Sequence, residues 1–166
     1  MKSLLLIGCG GHAKSIIDIV TSIGEFHQLG LVGLSNEVGK SILGVPVVGT
    51  DKDLPKLREC YSSACLALGQ LPDSTHRRNL AIRLNQLCFD LPALISEHAV
   101  VGASAQIGPG TVVGHCAVIN ANAILGSHCT INTRALVEHD AEIGDHCHIS
   151  TGALVNGGVI LGSDSF

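Results

Sequence analysis

From Ile95 onward the sequence advances in steps of six residues. Ile95, Val101, Ile107, Val113, Ile119, Leu125, Ile131, Val137, Ile143, Ile149, Val155 and Leu161 open twelve successive hexads, all aliphatic and ten of them β-branched. Four residues after each comes a second column, almost entirely small, that runs from Ala99 and Ala105 through Cys129, Ala135 and Cys147 to Ser165. A period of six matches neither the 3.6-residue period of a helix nor the two-residue alternation of an ordinary strand. A repeat of this length governs the fold before local propensity does.

Three hexads make an 18-residue coil of triangular section, so residues 18 apart stack at the strand spacing of roughly 4.8 Å. The β-branched residue points into the narrow prism, and the small residue occupies the crowded approach to the corner. Gly or Asn mostly follows the aliphatic residue, which predicts positive φ at that turn position. Residues 95–166 account for four coils of such a parallel β-helix. An aromatic content of only 2% suits an interior this narrow.

The first half reads differently. Residues 3–8 form an apolar strand, Gly8-Cys9-Gly10-Gly11-His12-Ala13 follows as a G-x-G-x-x-A turn, and Lys14 to Ile23 carries helical periodicity. This is the opening βα unit of a Rossmann-like domain, whose backbone N–H groups suit an anion. A dinucleotide site also wants an acidic residue at the end of the second strand, but residues 31–36 supply none and Glu37 comes late, which disfavours NAD. Further strands are expected near 29–34, 45–48 and 63–68, the last ending at Gly69. Thr50 and Asp53 mark a helix start, and Asp73 or Ser74 caps a helix running to about Cys88. Arg77, Arg78 and Arg83 are read as its solvated face. The chain thus divides into an α/β domain over residues 1–90 and a β-helix over 91–166.

Composition excludes several classes. The net charge is −4, with ten Lys plus Arg, and no basic patch interleaved with aromatic residues speaks for nucleic acid. No apolar run approaches the roughly 18 residues of a membrane span. Leu4 to Ile7 is too short for a secretory leader and reads as a buried strand. Seven cysteines without an export signal point to reduced thiols in the cytoplasm. Cys129 and Cys147, 18 apart, read as small core residues rather than a disulfide.

Chemistry concentrates late in the prism. In Val137-Glu138-His139-Asp140-Ala141-Glu142, Glu138 takes a place usually held by Gly or Asn, and a broken rule in a consistent scaffold marks a functional position. An imidazole beside a carboxylate suits general-base work near neutral pH, which makes His139 and Asp140 the catalytic candidates. His148, nine residues on, belongs to another face, and a rotationally symmetric trimer could bring it near a second copy's His139 across a groove between neighbours. His128, His146 and Asp164 stack at one corner by the repeat alone and are not assigned to a metal; no metal site is expected.

The chain resembles the sialic-acid O-acetyltransferases and nucleotide-aminosugar N-acetyltransferases among the hexapeptide-repeat acyltransferases. The resemblance rests on Gly8 to Lys14, on Leu68-Gly69, and above all on Ile131-Asn132-Thr133-Arg134-Ala135-Leu136-Val137-Glu138-His139-Asp140. It implies a left-handed coil, acetyl-CoA as co-substrate and a homotrimer. It also implies that His139 takes the proton from the attacking amine or hydroxyl while Asp140 supports the imidazole. His148 then lies at the acetyl-CoA thioester, Asn132 near the sugar, and Gly10, Gly11, His12 and Gly69 against the nucleotide sugar. Asn36-Glu37 departs from the paired acids of nucleotide-sugar members, and the end at Phe166, on a hexad boundary without a cap, reads as a truncated prism. The expected activity is acetylation of a nucleotide-linked amino sugar for surface polysaccharide or glycan. O-acetylation of sialic acid and a non-catalytic trimeric scaffold that binds a nucleotide sugar stand as alternatives. A β-helix carbonic anhydrase is disfavoured because no H-x4-H pair occurs.

Overall fold

The computed structural model describes residues 2–69 and 75–166. The chain forms two compact units, Met1–Pro92 and Ala93–Phe166. In the first, β1 (Ser3–Ile7), α1 (Gly11–Ile23), β2 (Gln28–Val32), β3 (Ser41–Ile42), β4 (Val45–Gly49), α2 (Leu54–Leu57), β5 (Ser63–Leu66) and α3 (Thr75–Gln86) follow one another. The sheet order is β3-β4-β2-β1-β5. Every residue of β1 is buried, as a central parallel strand covered on both faces requires.

The expected parallel sheet is correct for four strands and incomplete at one edge. β3 pairs antiparallel with β4. The two residues between them, Leu43 at φ 48° and Gly44 at φ 81°, are both left-handed, the backbone that a tight hairpin demands. Helix α1 starts at Gly11, a turn earlier than its apolar periodicity suggests, because the extended Gly10 already ends the strand-to-helix turn. It closes at Gly24, left-handed, whose N–H donates to the Val20 carbonyl. The Thr50–Asp53 start is present: Asp53 Oδ2 accepts from both Thr50 N and Thr50 Oγ1 at 2.8 Å.

One expectation for α3 fails. Arg77 is buried at 5% exposure, not solvated, because it shares the inward stripe of Leu80, Ala81 and Leu84 at helical spacing. Its charge acts on the buried Cys65 thiol. Arg78, one residue on, is exposed. The Asp73 or Ser74 cap lies outside the described residues.

The second unit is a prism of twelve two-residue strands in three parallel sheets. One face stacks β6 (Leu94–Ile95), β9 (Val112–Val113), β12 (Thr130–Ile131) and β15 (His148–Ile149). A second stacks β7 (Val100–Val101), β10 (Val118–Ile119), β13 (Leu136–Val137) and β16 (Leu154–Val155). The third stacks β8 (Gln106–Ile107), β11 (Ile124–Leu125), β14 (Glu142–Ile143) and β17 (Ile160–Leu161). Register partners are 18 residues apart, as in Ile119 opposite Val101 and Val137. Each rung bonds to the next, Val100 N to Ala117 O and Val118 N to Ala135 O at 2.9 Å. The aliphatic and small columns together form the interior.

The turn chemistry differs from the sequence expectation. Positive φ falls three residues after the aliphatic position, at Gly110, Cys116, Asn122, His128, Arg134, Asp140, His146, Gly152, Gly158 and Asp164, not at the residue just after it. The glycine that follows the aliphatic residue answers to crowding instead. A Cβ on Gly126 would sit 2.7 Å from Asp145 N, and one on Gly144 would sit 2.6 Å from Ser163 N, both on the next coil.

The interior thiols do more than fill space. Thr111 Oγ1 donates to Gly126 O at 2.8 Å, and one coil on Cys129 Sγ donates to Gly144 O at 3.1 Å, then Cys147 Sγ to Gly162 O at 3.1 Å. The column supplies a donor to the carbonyl of the glycine corner at three successive levels. Burial pushes the Cys129 thiol up to about 11, and all seven cysteines are free.

Gly126→Ala is expected to destabilise the protein by about 1–3 kcal/mol, since the next coil's backbone must move. Gly102→Ala, whose Cβ would lie 3.1 Å from its nearest neighbour, is expected to cost less. Urea unfolding of the two variants checks the order.

Candidate active site

Two features carry chemistry, one in each unit. In the first, the strand-to-helix turn opens on a cavity of about 320 Å³ lined by Gly8, Cys9, Gly10, Glu37, Asp51 and His76 among others. Gly10 lines it directly. Gly11 begins α1 and is exposed, His12 is half-buried in the first turn, and exposed Gly69 follows the adjacent β5, where Leu68 rather than Gly69 reaches the lining. Glu37 folds back: its Oε2 accepts from Leu34 N at 2.7 Å and from Cys9 Sγ at 3.0 Å. Burial, together with the Glu37 carboxylate it donates to, pushes the Cys9 thiol up to about 11. The same thiol and the Leu34 N–H hold Glu37 below the usual carboxylate range. Gly33 is forced by this packing, since a Cβ there would meet Cys9 Sγ at 2.6 Å.

In the prism, His139 sits at the corner that leads from β13 to β14, two residues past the inward Val137. Its Nδ1 lies 2.8 Å from Asp140 Oδ2. Both side chains are open to solvent. The hydrogen bond and charge of Asp140 raise the imidazole pKa, and Asp140 is lowered by the His139 bond and then by Asn122. With Nδ1 engaged, Nε2 is the free basic atom. The ring lies against Gly157, one coil further on, where a Cβ would come within 2.8 Å of Cε1 and Nε2. Glu138 Oε2 accepts from Asn120 Nδ2 at 2.8 Å and from His139 N at 3.3 Å.

His148 lies on the outward side of β15, on the face opposite that corner. It is buried, its ring packs edge-on against Phe166 at 5.0 Å, and its Nε2 is 3.3 Å from Asn132 Nδ2. Asn132 and His148 are thus brought together, while His139 is not brought to either within one chain. At the corner that leads from β11 to β12 and from β14 to β15, His128 and His146 stack with ring centroids 5.2 Å apart. Among the described residues no group of three or more His, Cys, Asp or Glu has the arrangement of a metal site, and no helix is long and apolar enough to cross a membrane.

Sequence reasoning missed Asn120, Asn122 and Gly157 around His139. The signal was present, because they stand 18 residues from Glu138, Asp140 and His139. It missed Cys9, Asp51 and His76 at the cavity, for which no periodicity exists.

An α/β unit followed by a hexapeptide-repeat prism is the architecture of a class of acyl-transferring enzymes. Residues 3–84 match the PglD N-terminal domain and residues 98–133 the bacterial transferase hexapeptide repeats. A histidine mutant of perosamine N-acetyltransferase from Caulobacter crescentus, solved with CoA and GDP-perosamine, is 35% identical; the match covers 96% of this chain and 74% of that one, with a TM-score of 0.88. The acetyltransferase domain of PglB from Neisseria gonorrhoeae, solved with acetyl coenzyme A, is 28% identical over 98% of this chain and 86% of that one, with a TM-score of 0.80. No curated protein matches significantly. The chain belongs to the NeuD/PglD-like family of hexapeptide-repeat sugar acetyltransferases, and its prism is the left-handed β-helix of that family.

Raising a thiol from its ordinary range to about 11 lowers its thiolate fraction on the order of a hundredfold. At pH 8 Cys9 is therefore expected to alkylate far more slowly than exposed Cys60, Cys88 and Cys116. Glu37→Gln is expected to speed it; peptide mass spectrometry after timed iodoacetamide treatment reads both.

Proposed function

We propose that the chain transfers the acetyl group of acetyl-CoA to the amine of a nucleotide-linked amino sugar, with His139 as general base. The observation that carries this reading is the 2.8 Å pair of His139 Nδ1 and Asp140 Oδ2 at an open prism corner, with Nε2 left basic. The perosamine enzyme, crystallised with CoA and a GDP-linked sugar, supports both co-substrates. The amine nitrogen attacks the thioester carbonyl and forms the new C–N bond. His139 Nε2 takes the proton the nitrogen sheds, and Asp140 stabilises the imidazolium. Collapse of the tetrahedral oxyanion breaks the C–S bond, and the proton leaves with the CoA thiolate.

In this reading the nucleotide sugar occupies the cavity at Gly8 to Gly10, with Gly11 and His12 offering the N-terminus of α1 and Gly69 at the adjoining strand end. Asn132 faces the sugar and His148 the thioester. Since these two stand opposite His139, each complete site takes its base from one copy and Asn132 and His148 from the next, in a homotrimer. The outward column Val100, Val118, Leu136 and Leu154 supports association, because it is wholly aliphatic and Leu154 is 71% exposed. Seven free thiols favour a reducing cytoplasm, where such a sugar would be acetylated on its way into surface polysaccharide or glycan.

Assay of acetyl transfer to a panel of 4-amino nucleotide sugars tests the reading. His139→Ala is expected to lower kcat by about a hundredfold or more, with the KM for acetyl-CoA little changed. A rate equal to the parent's would overturn the assignment.

The pH dependence has a definite sign. The base acts neutral, so the rate rises with pH through the imidazole pKa. Because Asp140 raises that pKa, the midpoint is expected above the ordinary histidine value of about 6.5. Asp140→Asn removes the raising charge, so the midpoint moves down while kcat falls; a kcat profile from pH 5.5 to 9 reads both.

A further inference from the structure

The rung beneath the His139 corner has a role that the dyad alone does not explain. Asn122 and Asp140 are 18 residues apart and stacked, both left-handed, at φ 59° and 60°. That backbone is costly for most L-residues and least so for Asn and Asp. Asn122 Nδ2 donates to Asp140 Oδ1 at 3.3 Å, while the other oxygen, Oδ2, faces His139 Nδ1. Two residues earlier on the same two rungs, Asn120 Nδ2 donates to Glu138 Oε2 at 2.8 Å. Below them, Ser104 Oγ accepts from Asn122 N at 3.0 Å and ties the lower rung to the coil before it.

Two carboxylates therefore flank His139 in sequence, and each is held by an amide from the preceding coil. The consequence is selective. Glu138 is turned toward Asn120 and the His139 backbone N–H, whereas Asp140 is presented to the ring nitrogen. A carboxylate left to rotate at an exposed corner would share its time among solvent, backbone and ring, and the imidazole would lose a single preferred tautomer.

We propose that Asn122 is a positioning residue. It acts through Asp140 to hold the Nδ1–H tautomer of His139 and keep Nε2 as the basic atom, with Asn120 performing the matching task of holding Glu138 aside. The proposal rests on His139 being the base.

The test uses Asn122→Gly, which keeps the left-handed backbone available but removes the amide, and Asn122→Asp, which keeps the shape but turns the donor into a second charge beside Asp140. Asn122→Gly is expected to lower kcat about tenfold, in keeping with the sensitivity of catalysis to small misplacements, with both KM values unchanged. Asn122→Asp is expected to move the acid-limb midpoint of kcat upward, because added negative charge favours the imidazolium. In an Asp140→Ala background, Asn122→Gly is expected to have no further effect, since its partner is gone.

Long-range proton–nitrogen NMR of the imidazole, assigned with a His139→Gln control, needs no turnover. The parent is expected to show one neutral tautomer protonated at Nδ1, and Asn122→Gly a mixture. The proposal is overturned if Asn122→Gly leaves the tautomer unchanged, if its loss persists undiminished without Asp140, or if Asn122→Asp does not shift the midpoint. Loss of melting temperature with kcat and tautomer intact would make Asn122 structural only. If His139→Ala keeps full activity, the base assignment itself fails, and that outcome is separate from any of these.

Discussion

The backbone ladder between successive coils is the interaction on which the prism depends. Each two-residue strand donates to the coil that follows and accepts from the one before, so residue n is seated on residue n + 18 through all four coils. Everything at the corners inherits that spacing. Gly102, Gly108, Gly114, Gly126 and Gly144, beside the aliphatic column, answer to the next coil's amide, which passes within about 3 Å of where a Cβ would stand. The donors Thr111, Cys129 and Cys147 serve carbonyls 15 residues ahead for the same reason, three times over with one geometry.

Side-chain order at the His139 corner is a second product of this stacking. The side chains there are open to water, and an exposed ion pair is ordinarily loose. What orders it is contact along the stack: Asn122 on one carboxylate, Asn120 on the other, and the bare backbone of Gly157 against the ring. Three coils thus converge on one imidazole. A rigid repetitive scaffold can hold a solvent-facing imidazole because its supports arrive at fixed intervals instead of from a packed core.

The α/β unit solves its problem differently. Its cavity is shaped by a crossover, where the turn after β1 meets the loop after β2. Cys9 and Glu37 satisfy each other there, 28 residues apart. Gly33 allows the two to approach, and Asp51 and His76 reach the same cavity from later segments. The resulting surface is a strand-end crevice with the N-terminus of α1 open to it, a setting in which anions and nucleotides bind in many α/β proteins.

The sequence by itself determined the prism, its register and the neighbours of every corner residue, because a strict period turns position along the chain into position in space. The identity of the corner dyad was legible too, since Glu138-His139-Asp140 breaks the pattern around it. Tertiary structure alone decided which carboxylate oxygen meets Nδ1, and that the left-handed residue lies three positions past the aliphatic one. It also decided that Arg77 turns inward and that β3 adds an antiparallel edge. These depend on side-chain rotation and on packing between segments without a repeat, where no interval in the sequence encodes who meets whom.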